Sequence, residues 1–237
     1  MKTFLSLILT GTTLISFGQS KDLFVSADGR QNFGNYAMQT EVSISQNTFK
    51  PSRNVSGSQF LYTDWADGYA VDNNDVKHAA LFNYDKVREI FYMKEKDKDQ
   101  VFIVTPSLVK SISISDGTNS YTFGKIQAIN GDKMCLILTK GRKYSFCGVL
   151  KTKYIPADYN TNGIISSGNL YEEYQDELHY YVVLGDGTAK EVNMKKKALK
   201  SVFGSERDKV DKFLSDNATA DVNEKLVEGL VNYLNQL

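Results

Sequence analysis

Five side chains that could do acid–base chemistry lie close together near the middle of the second half of the chain. They are Glu172, Glu173, Asp176, Glu177 and His179. A pair of carboxylates can hydrolyse a glycosidic bond when one has a raised pKa and the two are held at a fixed separation. Sequence proximity fixes neither property, so a solvated loop beside a strand is the competing interpretation. A secreted, glycan-directed hydrolase using carboxylates near residues 172–177 therefore stays open as an alternative function.

Tyrosines surround these carboxylates in a chain with 14 Tyr and 13 Phe. Exposed aromatic rings can stack on sugars or grip a peptide, because they offer contact area at a low cost in conformational entropy. The alternative is packing between neighbouring strands, which is common in sheets. The candidate binding residues are Tyr154, Tyr159, Tyr171 and Tyr174.

Other catalytic and metal-binding patterns are weak. The run Asp72-Asn73-Asn74-Asp75 offers oxygen atoms for calcium but lacks the Gly and the bidentate Glu of an EF-hand loop, so we interpret it as a polar hairpin turn. His78 and His179 could each be a general base, but the sequence has neither a Gly-x-Ser-x-Gly elbow nor an HExxH motif. We interpret both as partly exposed structural histidines. Two His and two Cys supply few zinc ligands, so we expect no metal and no cofactor.

Cys135 and Cys147 flank a predicted hairpin. If its turn is centred on Gly141, the two cysteines stand directly opposite each other, and cross-strand neighbours are within reach of a disulfide. The alternative is two buried free thiols, and a shift of one residue would place them on opposite faces. We expect neither to be a catalytic thiol, because no histidine lies nearby in sequence.

Composition and the first residues set the class of protein. The 237 residues carry 28 Lys+Arg and 28 Asp+Glu, and this balance argues against a nucleic-acid binder. Lys2 precedes an uncharged apolar run from Phe4 to Phe17, which is too short to span a bilayer. It is typical of a signal peptide over residues 1–18. We expect an exported protein, periplasmic or extracellular, with no transmembrane span after cleavage.

The sheet prediction depends on short β-prone runs spaced along residues 57–193. The segment 19–56 before them is polar and weakly patterned, with one possible strand near Thr40. Runs of alternating apolar residues, such as Ser111 to Ser115, recur every 8–12 residues between Gly, Asn and Asp. Asn83-Tyr84-Asp85 is interpreted as one of these turns. The pattern predicts an α+β fold built on an antiparallel β-meander, either an open barrel or a sandwich.

Two further segments complete the predicted architecture. Residues 151–176 form a long connection, which makes a functional role or packing across the sheet plausible. Residues 194–237 carry three helical stripes, ended or capped by Gly204, Ser205 and Asp221. A small helical segment of this kind needs an apolar surface to cover, so we expect it to pack on the sheet.

The β-rich region and the tail contain a set of turn and strand motifs: Gly57-Ser58, Phe60-Leu61, Asp64-Trp65, Gly68, Leu81 to Asp85, Tyr180, Gly185 to Gly187 and Val231 to Leu234. These motifs resemble those of uncharacterised exported proteins of Bacteroidota. The likeness covers about residues 57–140 and 178–237. Gln59 stands where that pattern has Pro, and the cysteine pair is not part of it. The resemblance implies export, a β-rich architecture and a helical tail, and implies no activity.

The sequence thus favours a non-enzymatic exported module of the cell envelope. The partner, an envelope protein or a glycan, would bind to the sheet or to the tyrosine-rich connection. The hydrolase is the alternative, and a deep cleft holding two carboxylates would favour it. A barrel with a small apolar ligand is a third interpretation, which requires an internal cavity.

Overall fold

A computed structural model describes residues 38–45, 48–50, 55–131, 133–161 and 163–236. The predicted signal peptide and the rest of residues 1–37 lie outside this range. Among the described residues, strands dominate and short helices follow. The strands are β1 (Met38–Val42), β2 (Val55–Ser56), β3 (Ala66–Asp72), β4 (Lys77–Asp85), β5 (Ile90–Lys94), β6 (Val101–Val104), β7 (Val109–Ser115), β8 (Ser120–Lys125), β9 (Met134–Thr139), β10 (Tyr144–Ile155), β11 (Asn160–Thr161), β12 (Ser166–Ser167), β13 (Glu172–Leu184) and β14 (Ala189–Val192).

Twelve of these strands form one open sheet. Its order is β1-β6-β5-β4-β3-β7-β8-β9-β10-β13-β14, and β2 pairs with β13. Neighbours along this order are antiparallel, whereas β2 runs parallel to β13. The predicted α+β fold with an antiparallel meander is confirmed, and the sheet stays open. The strands β11 and β12 make a separate two-stranded hairpin.

One face of the sheet encloses an aromatic core. Phe82, Phe91 and Phe123 are almost fully buried there, and the Phe91 and Phe123 rings meet edge to face with centroids 5.0 Å apart. The turn between β4 and β5 reaches residues that are far away in the strand order: Lys86 pairs with Asp176 on β13, and Glu89 pairs with Lys133 just before β9. These contacts indicate that the sheet curls around the aromatic core. Side chains therefore fill the concave side, which speaks against an apolar ligand held inside a barrel.

Asn83 fastens the loop before β3 to β4. Its side chain is fully buried and makes four hydrogen bonds: Oδ1 accepts from the amides of Tyr62 and Tyr84, and Nδ2 donates to the carbonyls of Tyr62 and Asp64. The predicted turn at Asn83-Tyr84-Asp85 is wrong, since these residues end β4. The side chains of Asn83 and Asp85 are buried, and both make hydrogen bonds to neighbouring backbone groups.

Three of the four α-helices in the described part of the chain cover the end of the sheet formed by β10, β13 and β14. The four helices are α1 (Gln127–Asn130), α2 (Lys196–Val202), α3 (Arg207–Asp216) and α4 (Glu224–Gln236). The last three pack with β10, β13 and β14 into a second core, which contains Phe146, Val182, Phe203 and Leu230. The predicted packing of a helical tail on the sheet is confirmed.

Two predicted helix caps are wrong. Ser205 makes no capping hydrogen bond, because a short 3-10 turn over Gly204–Glu206 precedes α3. Asp221 does not begin α4 either. Instead, the Asn223 side chain accepts the amide of Leu226 at 3.0 Å. Asn is as good an N-cap as Asp, so the choice between them depends on where the chain turns into the helix.

The connection predicted over residues 151–176 is shorter than expected. The strands β10 and β13 stay paired out to Ile155 and Glu173, so the segment between them spans only residues 156–171 and contains the β11–β12 hairpin. We call residues 151–177 the arm and the remaining described residues the body. The arm is a long hairpin that extends the two central strands of the second core.

Candidate functional site

The paired strands position the two inner tyrosines of the arm. Tyr154 on β10 stands directly opposite Tyr174 on β13, and their ring centroids lie 5.2 Å apart. A hydrogen bond to Glu172 raises the pKa of the Tyr154 hydroxyl. The Tyr174 hydroxyl donates to Gln59 Oε1 at 3.5 Å, and Tyr174 lines a pocket of about 250 Å³ with residues of the body. The Tyr154 ring therefore packs against Tyr174, and Tyr174 in turn contacts the body through Gln59.

The end of the arm is held by its own backbone. The amides of Asp158 and Tyr159 donate to the carbonyl of Asn169 at 3.1 and 3.0 Å, and the Asn169 amide donates to Asp158 Oδ1 at 2.7 Å. Gly168 has a φ of 88°, and a Cβ there would lie 2.5 Å from the Asp158 carbonyl oxygen. Glycine is therefore required at this close approach.

The outer tyrosines meet at a cleft of about 480 Å³. Tyr159 and Tyr171 line it with polar neighbours that include Asn169 and Glu173. The structure therefore brings together two of the four predicted tyrosines and leaves Tyr154 and Tyr174 outside this cleft. Aromatic rings beside hydrogen-bonding groups give a surface that can bind a partially polar ligand.

Exposed apolar side chains are concentrated in the arm. Of the eight large hydrophobic residues that are exposed among the described residues, six belong to the arm. The highest exposures are 92% for Ile164, 67% for Ile165, 66% for Tyr171 and 62% for Leu170. Sequence reasoning selected the tyrosines and missed the three aliphatic residues. Their signal is apolar side chains in a stretch otherwise rich in Gly, Asn and Ser.

The predicted carboxylates do not converge. Glu172 and Glu173 point to opposite faces, as adjacent residues of a strand must. Asp176 binds Lys86 at 2.7 Å and accepts from the Thr152 hydroxyl, and Glu177 lies 3.4 Å from Lys153. The hydrogen bond from Lys153, helped by its charge, lowers the pKa of Glu177. A general acid for glycoside hydrolysis needs the opposite shift.

The two histidines occupy different environments. His179 is partly exposed, as predicted, and lies 3.3 Å from Glu177 and 3.4 Å from Glu191. For His78 the prediction of partial exposure is wrong, because the residue is 2% exposed and its Nε2 lies 3.0 Å from Asp72 Oδ2. This pair sits beside the β3–β4 turn, far along the chain from the arm carboxylates.

The acidic run from Asp72 to Asp75 is the predicted hairpin turn. Asp72 Oδ1 accepts the amides of Asn74 and Val76. Burial by itself raises the pKa of Asp72, but the hydrogen bonds from His78 and from these amides outweigh burial and lower the pKa below its ordinary 3.8. The residues described contain no group of three or more His, Cys, Asp or Glu side chains placed to hold a metal ion.

The cysteine pair lies in a different register from the predicted one. Ile137 stands opposite Cys147, because a bulge shifts the pairing between Phe146 and Cys147. Direct opposition of Cys135 and Cys147 is therefore wrong; they are diagonal neighbours on one face. Both are buried free thiols, and burial raises the pKa of Cys135 to about 11 and of Cys147 to about 12. Neither thiol is ionised at neutral pH, so neither is suited to nucleophilic chemistry.

Comparison with protein-family models, with curated proteins and with solved structures finds no match to this chain. Across the described ranges, no helix combines the length and the apolar character that a membrane crossing requires. The assignment of function therefore depends on the geometry of the arm.

Proposed function

We propose that this protein is an exported, non-enzymatic binding module of the cell envelope, and that the arm grips a protein partner. Export is supported by the signal-like sequence of residues 1–18. The observation that carries the binding role is the concentration of six exposed apolar side chains in the arm. Large exposed apolar patches on soluble proteins mark interaction sites.

A protein partner fits the arm better than a glycan does. Ile164, Ile165 and Leu170 are aliphatic, so they have neither a ring face for a sugar nor a polar group for its hydroxyls. Their burial is favourable only against another apolar surface. Tyr159 and Tyr171 line the cleft together with Leu170 and can act as the rigid anchors that dominate protein interfaces.

Glycan hydrolysis is the weaker proposal. It needs one carboxyl group with a raised pKa facing a second one across a substrate cleft. Asp176 and Glu177 are instead engaged by lysines, and the pKa of Glu177 is lowered. Glu173 alone lines the outer cleft, while Glu172 lines the pocket on the other side of β13.

Capture from native envelope extract tests the binding role. The chain without residues 1–18 is immobilised as wild type and as the triple variant Ile164→Ser, Ile165→Ser, Leu170→Ser. The matched control is Val76→Ser, Val87→Ser, because these residues are 41% and 40% exposed but belong to the body. We expect wild type and control to capture the same protein, and its purified form to bind the triple variant at least about tenfold more weakly.

Two outcomes contradict the proposal. One is equal capture by the wild type and the triple variant, since the arm would then be dispensable. The other is cleavage of members of a glycan panel by the pure protein with no protein captured, which would favour the hydrolase.

A further inference from the structure

A cationic turn lies at the opposite end of the two strands that carry the arm. It is the β9–β10 connection, Lys140-Gly141-Arg142-Lys143. The strand β10 begins beside this turn at Tyr144, and its partner β13 ends there at Leu184. Within the described ranges, none of the three cations of the turn has a carboxylate within ion-pair distance. One end of the strand pair therefore presents three positive charges that no acidic side chain neutralises.

The last helix fixes the shape of this turn. Asn235 on α4 accepts the amides of Lys143 and Tyr144, each at 3.0 Å, and donates to the Tyr144 carbonyl at 2.9 Å. A Cβ at Gly141 would collide with the Asn235 side chain, so the close approach of turn and helix requires glycine. The backbone that carries the three charges is therefore pre-formed, which lowers the cost of ordering it when a partner binds.

A cavity of about 550 Å³ opens beside the turn, and we call it the cationic pocket. Three apolar and three cationic residues define it: Tyr144, Leu184, Val202, Arg142, Lys143 and Lys190. Asp186 is the one acidic residue among the described residues that line it. Leu184 is half-buried, so it has apolar surface left to lose against a partner. The pocket thus combines apolar walls with a net positive charge.

The end of the arm has the complementary character. Residues 156–173 contain neither Lys nor Arg but three acidic residues, Asp158, Glu172 and Glu173. In the part of the chain that the structure describes, none of these carboxylates takes part in an ion pair. The exposed side chains of Ile164, Ile165 and Leu170 belong to the same segment. The end of the arm is therefore apolar and negatively charged.

The arm cannot reach the cationic pocket of its own chain. The strand β10 runs from Tyr144 beside the pocket to Ile155 at the arm, and its eleven steps of about 3.3 Å separate these residues by about 36 Å. Half of the segment 156–171, even if it were fully extended and folded back, would span less than about 30 Å. A contact between arm and pocket must therefore join two copies of the chain.

We propose that the arm of one copy binds in the cationic pocket of the next copy, so that copies of this chain assemble head to tail. The inference rests on the proposed function, because it names the protein that the arm grips. The exposed aliphatic side chains of the arm lose water against the apolar walls of the pocket, and the arm carboxylates meet its cations. Each copy keeps one arm and one pocket, so the contact is heterologous and an assembly holds more than two copies.

Other contacts between copies fit the charges less well. Arm against arm brings the carboxylates of two copies together, and pocket against pocket does the same for the cations. Like charges facing each other across an interface cost free energy. The arm in the pocket pairs opposite charges and covers the aliphatic side chains at the same time.

Sedimentation velocity of the purified chain without residues 1–18 tests the contact over a range of protein concentrations. The pocket variant is Arg142→Glu, Lys143→Glu, and the matched control Lys212→Glu, Lys225→Glu makes the same charge change at exposed helix positions. We expect the wild type to form species larger than dimers as its concentration rises. Self-association should weaken at least about tenfold in the pocket variant and less than about twofold in the control. Added salt should weaken it in the wild type, because the charges of the contact are screened.

A mixture of two variants tests the head-to-tail arrangement. The triple variant Ile164→Ser, Ile165→Ser, Leu170→Ser keeps its pocket, whereas the pocket variant keeps its arm. Neither should associate alone. Mixed, they should form a one-to-one dimer that does not grow, because the remaining arm and the remaining pocket are both defective. Formation of this dimer would also show that both variants fold.

Three results would overturn the inference. They are a wild type that stays monomeric at every concentration, equal losses in the pocket variant and the control, and a mixture that forms no dimer. Capture from envelope extract tests the proposed function separately. If the arm captures a different protein there, the binding role stands and this chain is excluded as the partner.

Discussion

The body and the arm are built from the same pair of strands, yet they place apolar side chains in opposite environments. On β10 and β13, Phe146 faces Val182 and both are fully buried beneath the helices. Eight residues farther along β10, Tyr154 faces Tyr174, and Tyr154 is 45% exposed. A strand pair alone therefore does not decide burial. Burial depends on whether another layer packs against the strand pair. In the body the helices form this layer, and the arm extends beyond them.

The largest difference between the two regions should appear in one matched substitution. Leu230→Ala removes a fully buried side chain from the second core, and we expect it to lower the free energy of unfolding by about 3–5 kcal/mol. Leu170→Ala removes the same atoms from a 62% exposed side chain in the arm and should change it by less than about 0.5 kcal/mol. Urea unfolding of both variants measures the difference. A comparable loss in Leu170→Ala would mean that the arm is packed in solution.

Buried polar groups offer a second, smaller contrast. Asn83→Ala leaves two amides and two carbonyls of the body without their side-chain partner, and we expect a loss of about 1–3 kcal/mol. In the arm, Asn169 supports its loop through backbone groups, so Asn169→Ala should be nearly neutral. Thermal unfolding compares the two variants. A neutral Asn83→Ala would refute its role as the fastening of the loop before β3.

The junction between body and arm can be tested at Lys86. This lysine is buried in the body, and its ammonium group binds the half-exposed Asp176 at the base of the arm. Lys86→Met should lower the free energy of unfolding by about 1 kcal/mol and speed amide exchange in residues 173–177. Lys98→Met removes a surface pair with Glu95 and should do neither. Unchanged exchange at the base of the arm in Lys86→Met would show that the ion pair does not hold the arm.

Acid should act on the body through Asp72. Because the folded-state pKa of Asp72 is below its ordinary 3.8, its contribution to stability is present above that pH and is lost as the pH falls through the folded-state pKa. Asp72→Asn should flatten this part of the stability curve, measured as urea midpoints between neutral and strongly acidic pH. The arm variant Leu170→Ala should keep the wild-type slope. An unchanged slope in Asp72→Asn would assign acid sensitivity to other carboxylates.

The sequence predicted the body better than the arm, for a physical reason. In the body one face is buried, so apolar residues alternate along strands such as β7, and the helical tail shows its stripe of leucines and valines. In the arm both faces of the hairpin are exposed, so residues 151–155 and 172–176 lack that alternation and are easily taken for a loop. The cleft formed by Tyr159 and Tyr171 depends on backbone hydrogen bonds of the loop, which sequence patterns do not record.

Two errors in the body share another cause. Asn83 and Asp85 are typical turn residues by composition, but both are fully buried and serve as internal hydrogen-bonding groups. The predicted opposition of Cys135 and Cys147 is wrong because one bulge next to Cys147 shifts the pairing of β9 with β10. No residue type at that position indicates a bulge. Patterns along a chain report which side is apolar, whereas these features depend on what lies across from each residue.

The two buried thiols can report local opening of the protein through the rate at which they are alkylated. Cys135 on β9 and Cys147 on β10 are both buried, with exposures of 1% and 0%. Alkylating reagents attack thiolates, so modification must wait until β9 and β10 separate and water reaches the sulfur atoms. The rate of labelling, followed by mass spectrometry, would then time that separation in the unaltered protein without any introduced probe.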